Sequence, residues 1–387
     1  MEVKEYKVDK GISALSEQKR KVEYFRHNLE QQDKAELMKV LDTVFLTTGT
    51  VTKQFEEDFA RYLGAKYAVG VMSCTHALEL CLRYFGIGEG DEVITTPLSY
   101  VATANTIEFV GAKPVFVDVE WKTANIDPTL IEAAITPRTK AIIPVHLYGQ
   151  MCNMTAIKEI ADRHGLIVIE DAAHCVEGEH RGGKSATLSN AACYSFYATK
   201  NITAGEGGAI ATNDEEMHKW LLQGRSHGIS SSAADRYTKK YRHYDMEFLG
   251  MKSNMTNMQA ALLIHQVERI ETLHKRREVL FNLYETLLTK FERPDLEVDS
   301  RHAYHVYSVW VKNRDAAIDF LYEQGVGVAV HYRPTHLMSY YQEKYGYQKG
   351  NFPIAEYIGE HTLSLPLYPL LLEEEVAYVC EVLQRLA

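Results

Sequence analysis

A short apolar run that ends in a carboxylate places the strongest constraint on the fold of this chain. Residues 166–170 read Leu-Ile-Val-Ile-Glu, and Asp171 follows them directly. Such a run, almost wholly apolar and β-branched, is typical of a parallel strand that is buried on both faces of a sheet. Ligands of open α/β sheets bind outside the carboxyl ends of the strands. The sequence therefore predicts that Asp171 faces a ligand site.

Similar apolar runs recur between residues 67 and 212 and alternate with helical periodicity. Alternation of this kind produces right-handed βαβ units and a mostly parallel sheet between helices. We predict an α/β domain with strands at residues 67–72, 92–97, 114–119, 141–146 and 207–212, and with helical runs that include 33–46, 128–135 and 154–164.

The C-terminal part of the chain has a different pattern. A long helical stretch covers residues 254–291, and predicted strands at 305–311 and 327–331 flank a predicted helix at 316–324. This pattern indicates a smaller α+β C-terminal domain. Because 387 residues are too many for one ordinary core, we predict three parts. They are an N-terminal extension of open role (1–25), a large domain (26–253), and a linking helix with a small domain (254–387).

The chain carries an excess of acidic residues. It has 42 Lys and Arg against 52 Asp and Glu, a net charge of −10. With no long basic run, nucleic acid is not expected as the main partner. The six cysteines form no C-x-x-C pair, which favours reduced thiols in a cytoplasmic protein. No signal-peptide pattern and no apolar run of membrane-spanning length is present, so no membrane association is expected.

Lys200 is the second residue that points to a ligand. Ser195 and Thr199 precede it, and glycines follow at positions 205, 207 and 208. Pyridoxal 5'-phosphate (PLP) needs a lysine for a Schiff base and an acidic partner for its pyridine nitrogen. A lysine in this setting, downstream of Asp171, therefore suggests a PLP site.

Residues 67–78 read as a strand, a turn and the start of a helix. Free backbone N–H groups and the helix dipole make such a helix start an anion site. An ordinary Ser or Thr helix cap explains the same residues. The pattern alone leaves both interpretations open.

Three motifs carry a resemblance to a known family. They are Glu170-Asp171-Ala172-Ala173-His174, the run from Ser195 to Asn201, and Gly205-Glu206-Gly207-Gly208. Together they resemble the sugar aminotransferases of the DegT type, which are fold-type-I PLP enzymes that aminate nucleotide-linked keto sugars. The resemblance extends from about Val40 to the C-terminus. It implies a fold-type-I PLP-transferase with PLP as the cofactor.

The resemblance also implies roles for individual residues. Lys200 would be the catalytic residue that holds PLP and moves protons, while Asp171 would pair with the pyridine nitrogen. The other implied contacts are Cys74, Thr75 and Ser195 with the phosphate, Tyr100 with the ring face, His174 with the ring hydroxyl, Lys252 with the phosphate of the other subunit, and His331 and His336 with the substrate. No metal is expected, since Pro334 disfavours a helical metal pair between the two histidines.

The implied function is transfer of an amino group, from L-glutamate by resemblance, to a nucleotide-linked keto sugar. A 4-keto sugar and a homodimer with active sites at its interface are expected. Relatives that dehydrate sugars carry His in place of the lysine, so Lys200 favours transamination. A PLP-binding regulatory protein or a dehydratase-like relative is the alternative. The sugar, the nucleotide, the stereochemistry and the aminated carbon, whether 3 or 4, stay open.

Residues 178–185 match the P-loop pattern G-x-x-x-x-G-K-[ST]. A P-loop follows a strand directly and opens a helix. Here residues 172–177 separate the motif from the predicted strand, and residues 186–196 show no sustained helical face. We therefore expect a solvated loop at this position rather than a nucleotide site.

Overall fold

A seven-stranded sheet forms the centre of the molecule. The computed structural model describes residues 20–230 and 243–386. The strands of these residues, numbered along the chain, are β1 (Tyr67–Val71), β2 (Glu92–Thr95), β3 (Lys113–Phe116), β4 (Thr139–Ile142), β5 (Ile167–Asp171), β6 (Glu179–His180), β7 (Gly183–Lys184), β8 (Ala191–Ser195), β9 (Gly208–Thr212), β10 (Ser300–Arg301), β11 (Tyr307–Trp310) and β12 (Thr362–Leu365). The strand order in the seven-stranded sheet is β1-β9-β8-β5-β4-β2-β3, and the other strands form two smaller sheets.

Helices connect these strands and extend beyond them. Side-chain caps fix several helix starts, as where Asn153 accepts a hydrogen bond from the Ala156 N–H at 3.2 Å. The helices are α1 (Gln31–Leu41), α2 (Thr50–Leu63), α3 (Cys74–Tyr84), α4 (Ala102–Phe109), α5 (Pro128–Ile131), α6 (Met154–His164), α7 (Glu215–Gly224), α8 (Asn257–Glu268), α9 (Ile270–Leu287), α10 (Arg314–Glu323), α11 (Ser339–Tyr345), α12 (Pro353–His361) and α13 (Glu373–Gln384).

The sheet is mostly parallel, as predicted. β5 pairs in parallel with β4 and with β8, whereas β9 runs antiparallel to both of its neighbours, β1 and β8. In the β5–β8 pair, Asp171 lies opposite Cys193. Since β8 ends at Ser195, the chain leaves the sheet beside Asp171 and reaches Lys200 within a few residues.

Two predicted elements differ from the structure. The helical stretch 254–291 is two helices, α8 and α9, that meet at Arg269. At this junction the Arg269 guanidinium donates two hydrogen bonds to the Asp33 carboxylate, at 2.9 and 2.5 Å. This ion pair connects the junction of the two helices to α1. The predicted strand 327–331 is irregular backbone with a single bridge from Ala329 to Ser364.

The C-terminal part has its own apolar cluster. Leu280, Tyr307, Leu365 and Val379 are fully buried in it, and Val22 from the N-terminal region joins them. This cluster is consistent with the predicted small domain, although the domain boundaries themselves stay a prediction. Within residues 20–230 and 243–386, no helix is long and apolar enough to cross a membrane.

Gly208, at the start of β9, sets how closely the sheet approaches α3. A Cβ atom at this position would lie 2.4 Å from the Ser73 carbonyl carbon and 2.6 Å from the Cys74 nitrogen. Any side chain there would push the first turn of α3 away from the sheet. The glycine therefore fixes the place of that helix terminus.

We predict that Gly208→Ala destabilises the protein by about 1–3 kcal/mol, because backbone rather than a flexible side chain blocks the new methyl group. Urea unfolding of the purified variant measures the change. Gly207→Ala is the matched control, since its Cβ would meet Phe196 at an ordinary 3.4 Å. Equal stability of the two variants would contradict the close approach.

Candidate active site

A cavity of about 510 Å³ lies at the carboxyl ends of the parallel strands. Eight of the ten predicted site residues line it, and Lys252 and His336 do not. The eight are Cys74, Thr75, Tyr100, Asp171, His174, Ser195, Lys200 and His331. Of the residues that sequence analysis assigned no role, Tyr24, Ser73, Ser99, Thr103, Tyr197, Glu206 and Tyr332 also line the cavity.

Lys200 enters the cavity from the turn that follows β8. Its backbone N–H bonds the Tyr197 carbonyl at 2.9 Å, which closes the turn. The residue as a whole is half-buried, but desolvation of its amine lowers the pKa of Lys200 to about 8, while the negative charge of Asp171 acts in the opposite direction. The amine is therefore neutral far more often than that of a surface lysine.

Asp171 is 6% exposed at the end of β5. One carboxylate oxygen accepts a hydrogen bond from the Thr103 hydroxyl at 2.8 Å, and the Ser99 hydroxyl lies 2.8 Å from that of Thr103. The other oxygen accepts from the Ala173 N–H at 3.2 Å and lies 3.8 Å from the Cys74 sulfur. Hydrogen bonds to both oxygens therefore fix the orientation of the Asp171 side chain. Thr103 was missed because its contact with Asp171 joins distant parts of the chain.

The first turn of α3 forms one wall of the cavity. Ser73 caps the helix by accepting a hydrogen bond from the His76 N–H at 3.2 Å. Cys74 and Thr75 follow, so their backbone N–H groups lie at the positive end of an eleven-residue helix. Ser195 lies on the same cavity. This helix start suits the phosphate of a cofactor.

His174 presents an unpaired nitrogen. Its Nδ1 atom is buried and, within the described residues, has no hydrogen-bond partner, while its Nε2 lies 2.9 Å from the Tyr332 hydroxyl. Burial holds the pKa of His174 well below its ordinary value, so the ring is neutral. Burial also raises the pKa of Tyr332, so the phenol keeps its proton. If the phenol donates to Nε2, the proton of His174 sits on Nδ1, where it can meet an acceptor.

A buried set of hydrogen-bonded side chains around Asn201 packs against His174. The Asn201 amide nitrogen donates to Glu177 and to the Ala303 carbonyl, both at 2.8 Å. Its oxygen must then accept from His305 Nδ1, which lies 3.0 Å away. The His305 ring packs against His174 with 4.3 Å between centroids. Asn201 follows Lys200 directly, so the same group also anchors the backbone of the lysine.

Tyr100 and His331 also line the cavity. Tyr100 is 62% exposed, and its ring centroid lies 5.9 Å from that of Tyr332. His331 Nδ1 lies 2.8 Å from the Ser364 hydroxyl. Burial and the nearby charge of Lys200 lower the pKa of His331 to about 3, so this ring is also neutral.

Lys252 and His336 lie elsewhere. Lys252 is exposed, and its Nζ donates to the Asn254 side chain at 2.5 Å. His336 is completely buried, and its Nε2 lies 2.9 Å from the Glu356 carboxylate. Burial lowers the pKa of His336, so the structure places it in a buried hydrogen-bonded pair with Glu356 rather than on the cavity surface.

Residues 178–185 form a hairpin of β6 and β7, which pairs with β10, rather than a strand–loop–helix phosphate site. The Lys184 amine packs over the Tyr62 ring at 4.2 Å and lies 3.4 Å from Glu179. The solvated loop expected from the sequence is therefore wrong, because backbone pairing with β10 and the contacts of Lys184 hold these residues as a partly buried hairpin.

The donor set of the cavity fits PLP. A desolvated lysine, a carboxylate held by hydroxyl and backbone donors, a capped helix start and an unpaired imidazole nitrogen surround one cavity. These groups match the aldehyde, pyridine nitrogen, phosphate and ring hydroxyl of the cofactor.

Comparison with known proteins supports this fit. The chain is 43% identical over 357 residues to the spore coat polysaccharide biosynthesis protein SpsC of Bacillus subtilis, covering 89% of this chain and 92% of SpsC. The structure of DesV from S. venezuelae, in complex with a ketimine intermediate, matches with a TM-score of 0.85 at 34% identity, over 91% of this chain and 93% of DesV.

The PMP form of Spr1654, a putative sugar aminotransferase from Streptococcus pneumoniae, matches with a TM-score of 0.90 at 29% identity, over 94% of this chain and 98% of that one. The model of the DegT/DnrJ/EryC1/StrS aminotransferase family matches residues 27–384. The chain therefore belongs to the DegT/DnrJ/EryC1/StrS aminotransferase family, which confirms the prediction of a PLP-dependent sugar aminotransferase.

Proposed function

We propose that this protein transfers an amino group from L-glutamate to a nucleotide-linked keto sugar, with a 4-keto sugar favoured. The observation that carries the proposal is the Lys200 amine, desolvated beside Asp171 in the cavity. A sugar-dehydrating relative would carry His at this position, by the resemblance described above. The segment around Lys252 is the reason for favouring a 4-keto sugar.

When bound, PLP supplies an electron sink for the donor carbon. Lys200 would hold the cofactor through its Nζ, and the same amine in its free form would carry a proton from and to the donor α-carbon. A pKa near 8 suits this exchange, because the amine both gains and loses a proton readily near neutral pH. Asp171 keeps a proton on the pyridine nitrogen by its negative charge.

His174 and Tyr332 orient the cofactor ring. With the Tyr332 phenol donating to its Nε2, His174 would carry its proton on Nδ1 and would donate it to the ring hydroxyl oxygen. The first turn of α3 would hold the phosphate through the N–H groups of Cys74 and Thr75, together with the hydroxyls of Thr75 and Ser195.

We also propose a homodimer in which Lys252 completes the cavity of the partner subunit. Lys252 is exposed, and Asn254 ties its segment to Thr48 at 2.5 Å. Large apolar side chains on these two segments are exposed, with Val44 at 91% and Leu249 at 75%. Such apolar surface next to an exposed lysine suits an obligate interface.

We predict that Lys200→Ala lowers transamination by at least about 10³-fold without unfolding the protein, because it removes both the covalent anchor and the proton carrier. Turnover is measured with L-glutamate and a panel of nucleotide-linked 3-keto and 4-keto sugars, and folding by circular dichroism. Lys158→Ala, on the exposed face of α6, is the control. A wild-type protein that turns yellow with PLP but consumes no glutamate would instead support the regulatory alternative.

We predict that capture of PLP by the apo-protein accelerates as pH rises through about 8, since only the neutral Lys200 amine attacks the aldehyde. Asp171→Asn should move this midpoint to lower pH, because the carboxylate raises the pKa of Lys200. Stopped-flow absorbance measures the capture midpoint of wild type and of the variant.

Asp171→Asn should also deaminate glutamate about 10²-fold more slowly, because the charge that holds the pyridine proton is lost. An unchanged capture midpoint in Asp171→Asn would contradict the effect of the Asp171 charge on the pKa of Lys200.

We predict partial recovery of activity when Lys200→Ala and Lys252→Ala protomers exchange subunits. In the mixed dimer one cavity carries both lesions and the other carries neither. Subunit exchange is verified by mass spectrometry of the intact dimer. If exchange occurs and no activity returns, or if the native protein sediments as an active monomer, the shared site is wrong.

A further inference from the structure

The N-terminal segment Arg20–His27, here called the strap, packs along the small-domain backbone. The Val22 N–H donates to the Gly325 carbonyl at 2.9 Å, and the Gly327 N–H donates to the Val22 carbonyl at 2.8 Å. The Val22 side chain is 1% exposed within the C-terminal apolar cluster. The strap is therefore attached both by backbone hydrogen bonds and by a buried side chain.

Two glycines make room for the strap. A Cβ atom on Gly325 would lie 2.4 Å from the Arg20 carbonyl oxygen, and one on Gly327 would lie 2.6 Å from the Tyr24 nitrogen. Gly325 also has a positive φ of 79°, which favours glycine. The close backbone contact between the strap and the small domain therefore depends on these two glycines. The course of the strap places Tyr24 at the cavity.

Tyr24 lines the same cavity as Lys200. Its ring stacks against His331, with 6.1 Å between centroids and 30° between planes. Burial raises the pKa of Tyr24, so its phenol stays protonated. Its hydroxyl has no hydrogen-bond partner within residues 20–230 and 243–386, which leaves a neutral donor available to a ligand.

The neighbours of Tyr24 include a residue that the family resemblance assigns to the substrate. The His331 ring contacts both Tyr24 and His174, with 6.1 and 6.0 Å between ring centroids. His331 is also close enough to Lys200 for the charge of the amine to lower its pKa. Tyr24 therefore lies next to an expected substrate contact, within reach of the catalytic lysine's surroundings.

We propose that Tyr24 is a substrate-positioning residue, which the strap holds in the cavity to donate a hydrogen bond to an oxygen of the acceptor sugar. The proposal rests on the proposed function, because it needs a sugar in the second half of the reaction. It assigns Tyr24 no part in the first half-reaction, in which the amino donor meets the cofactor.

The first test compares Tyr24→Phe with wild type, using UDP- and dTDP-linked 4-keto-6-deoxyhexoses as probes. Loss of one hydrogen bond should raise KM for the probe that wild type uses fastest by about 3- to 10-fold, with kcat within about twofold. Cofactor conversion by L-glutamate alone, followed by absorbance, should not change. The control is Tyr322→Phe, on an 80% exposed tyrosine of α10.

The second test detaches the strap without changing Tyr24. Gly327→Ala should expose the Val22 amide to hydrogen–deuterium exchange and raise the same KM, while Gly88→Ala, whose Cβ meets Val110 at an ordinary 3.4 Å, should change neither. An unchanged KM in Tyr24→Phe, or a slower glutamate half-reaction, would overturn the role of Tyr24 alone. A wild type that aminates none of the probes would overturn the proposed function and this inference together.

Discussion

Desolvation of one lysine amine beside one carboxylate is the constraint on which the rest of this structure depends. Burial lowers the pKa of Lys200 to about 8, and Asp171 limits the fall. Asp171 is the last residue of β5, and Lys200 follows the carboxyl end of β8, its parallel neighbour in the sheet. The register between these two strands therefore sets the distance between the two residues. A lysine on an exposed loop would stay protonated and could not exchange protons near neutral pH.

Polar groups around Lys200 and Asp171 restrict the orientation of both residues. Thr103 donates a hydrogen bond to the Asp171 carboxylate, and Asn201 donates both of its amide hydrogens to buried acceptors. Because an unpaired polar group in a buried site is costly, each partner restricts the next. The unpaired Nδ1 of His174 is the exception, and it lies where the cofactor ring would supply the acceptor.

The cavity walls come from parts of the chain that meet only after folding. Gly208 lets the first turn of α3 reach the sheet, and Gly325 with Gly327 let the strap reach the small domain. In both places the absence of a side chain on glycine allows two backbone segments to come close, and this close approach determines which groups face the cavity. The strap thereby adds Tyr24 to the same cavity that the first turn of α3 helps to line.

The sequence by itself determined the elements whose signals are local. Apolar periodicity was sufficient for the parallel strands β2 to β5 and for α6, although it did not reveal β8. Motif chemistry was sufficient to single out Lys200 and Asp171, because strand burial and residue type act over a few neighbours. Tertiary structure alone decided the contacts of Thr103 with Asp171, of Tyr332 with His174 and of His305 with Asn201, whose members are 68, 158 and 104 residues apart. It also decided the break at Arg269, whose partner Asp33 is 236 residues away. Hydrogen bonds between such distant residues leave no periodic trace in the sequence, since they arise only where the fold brings two side chains together.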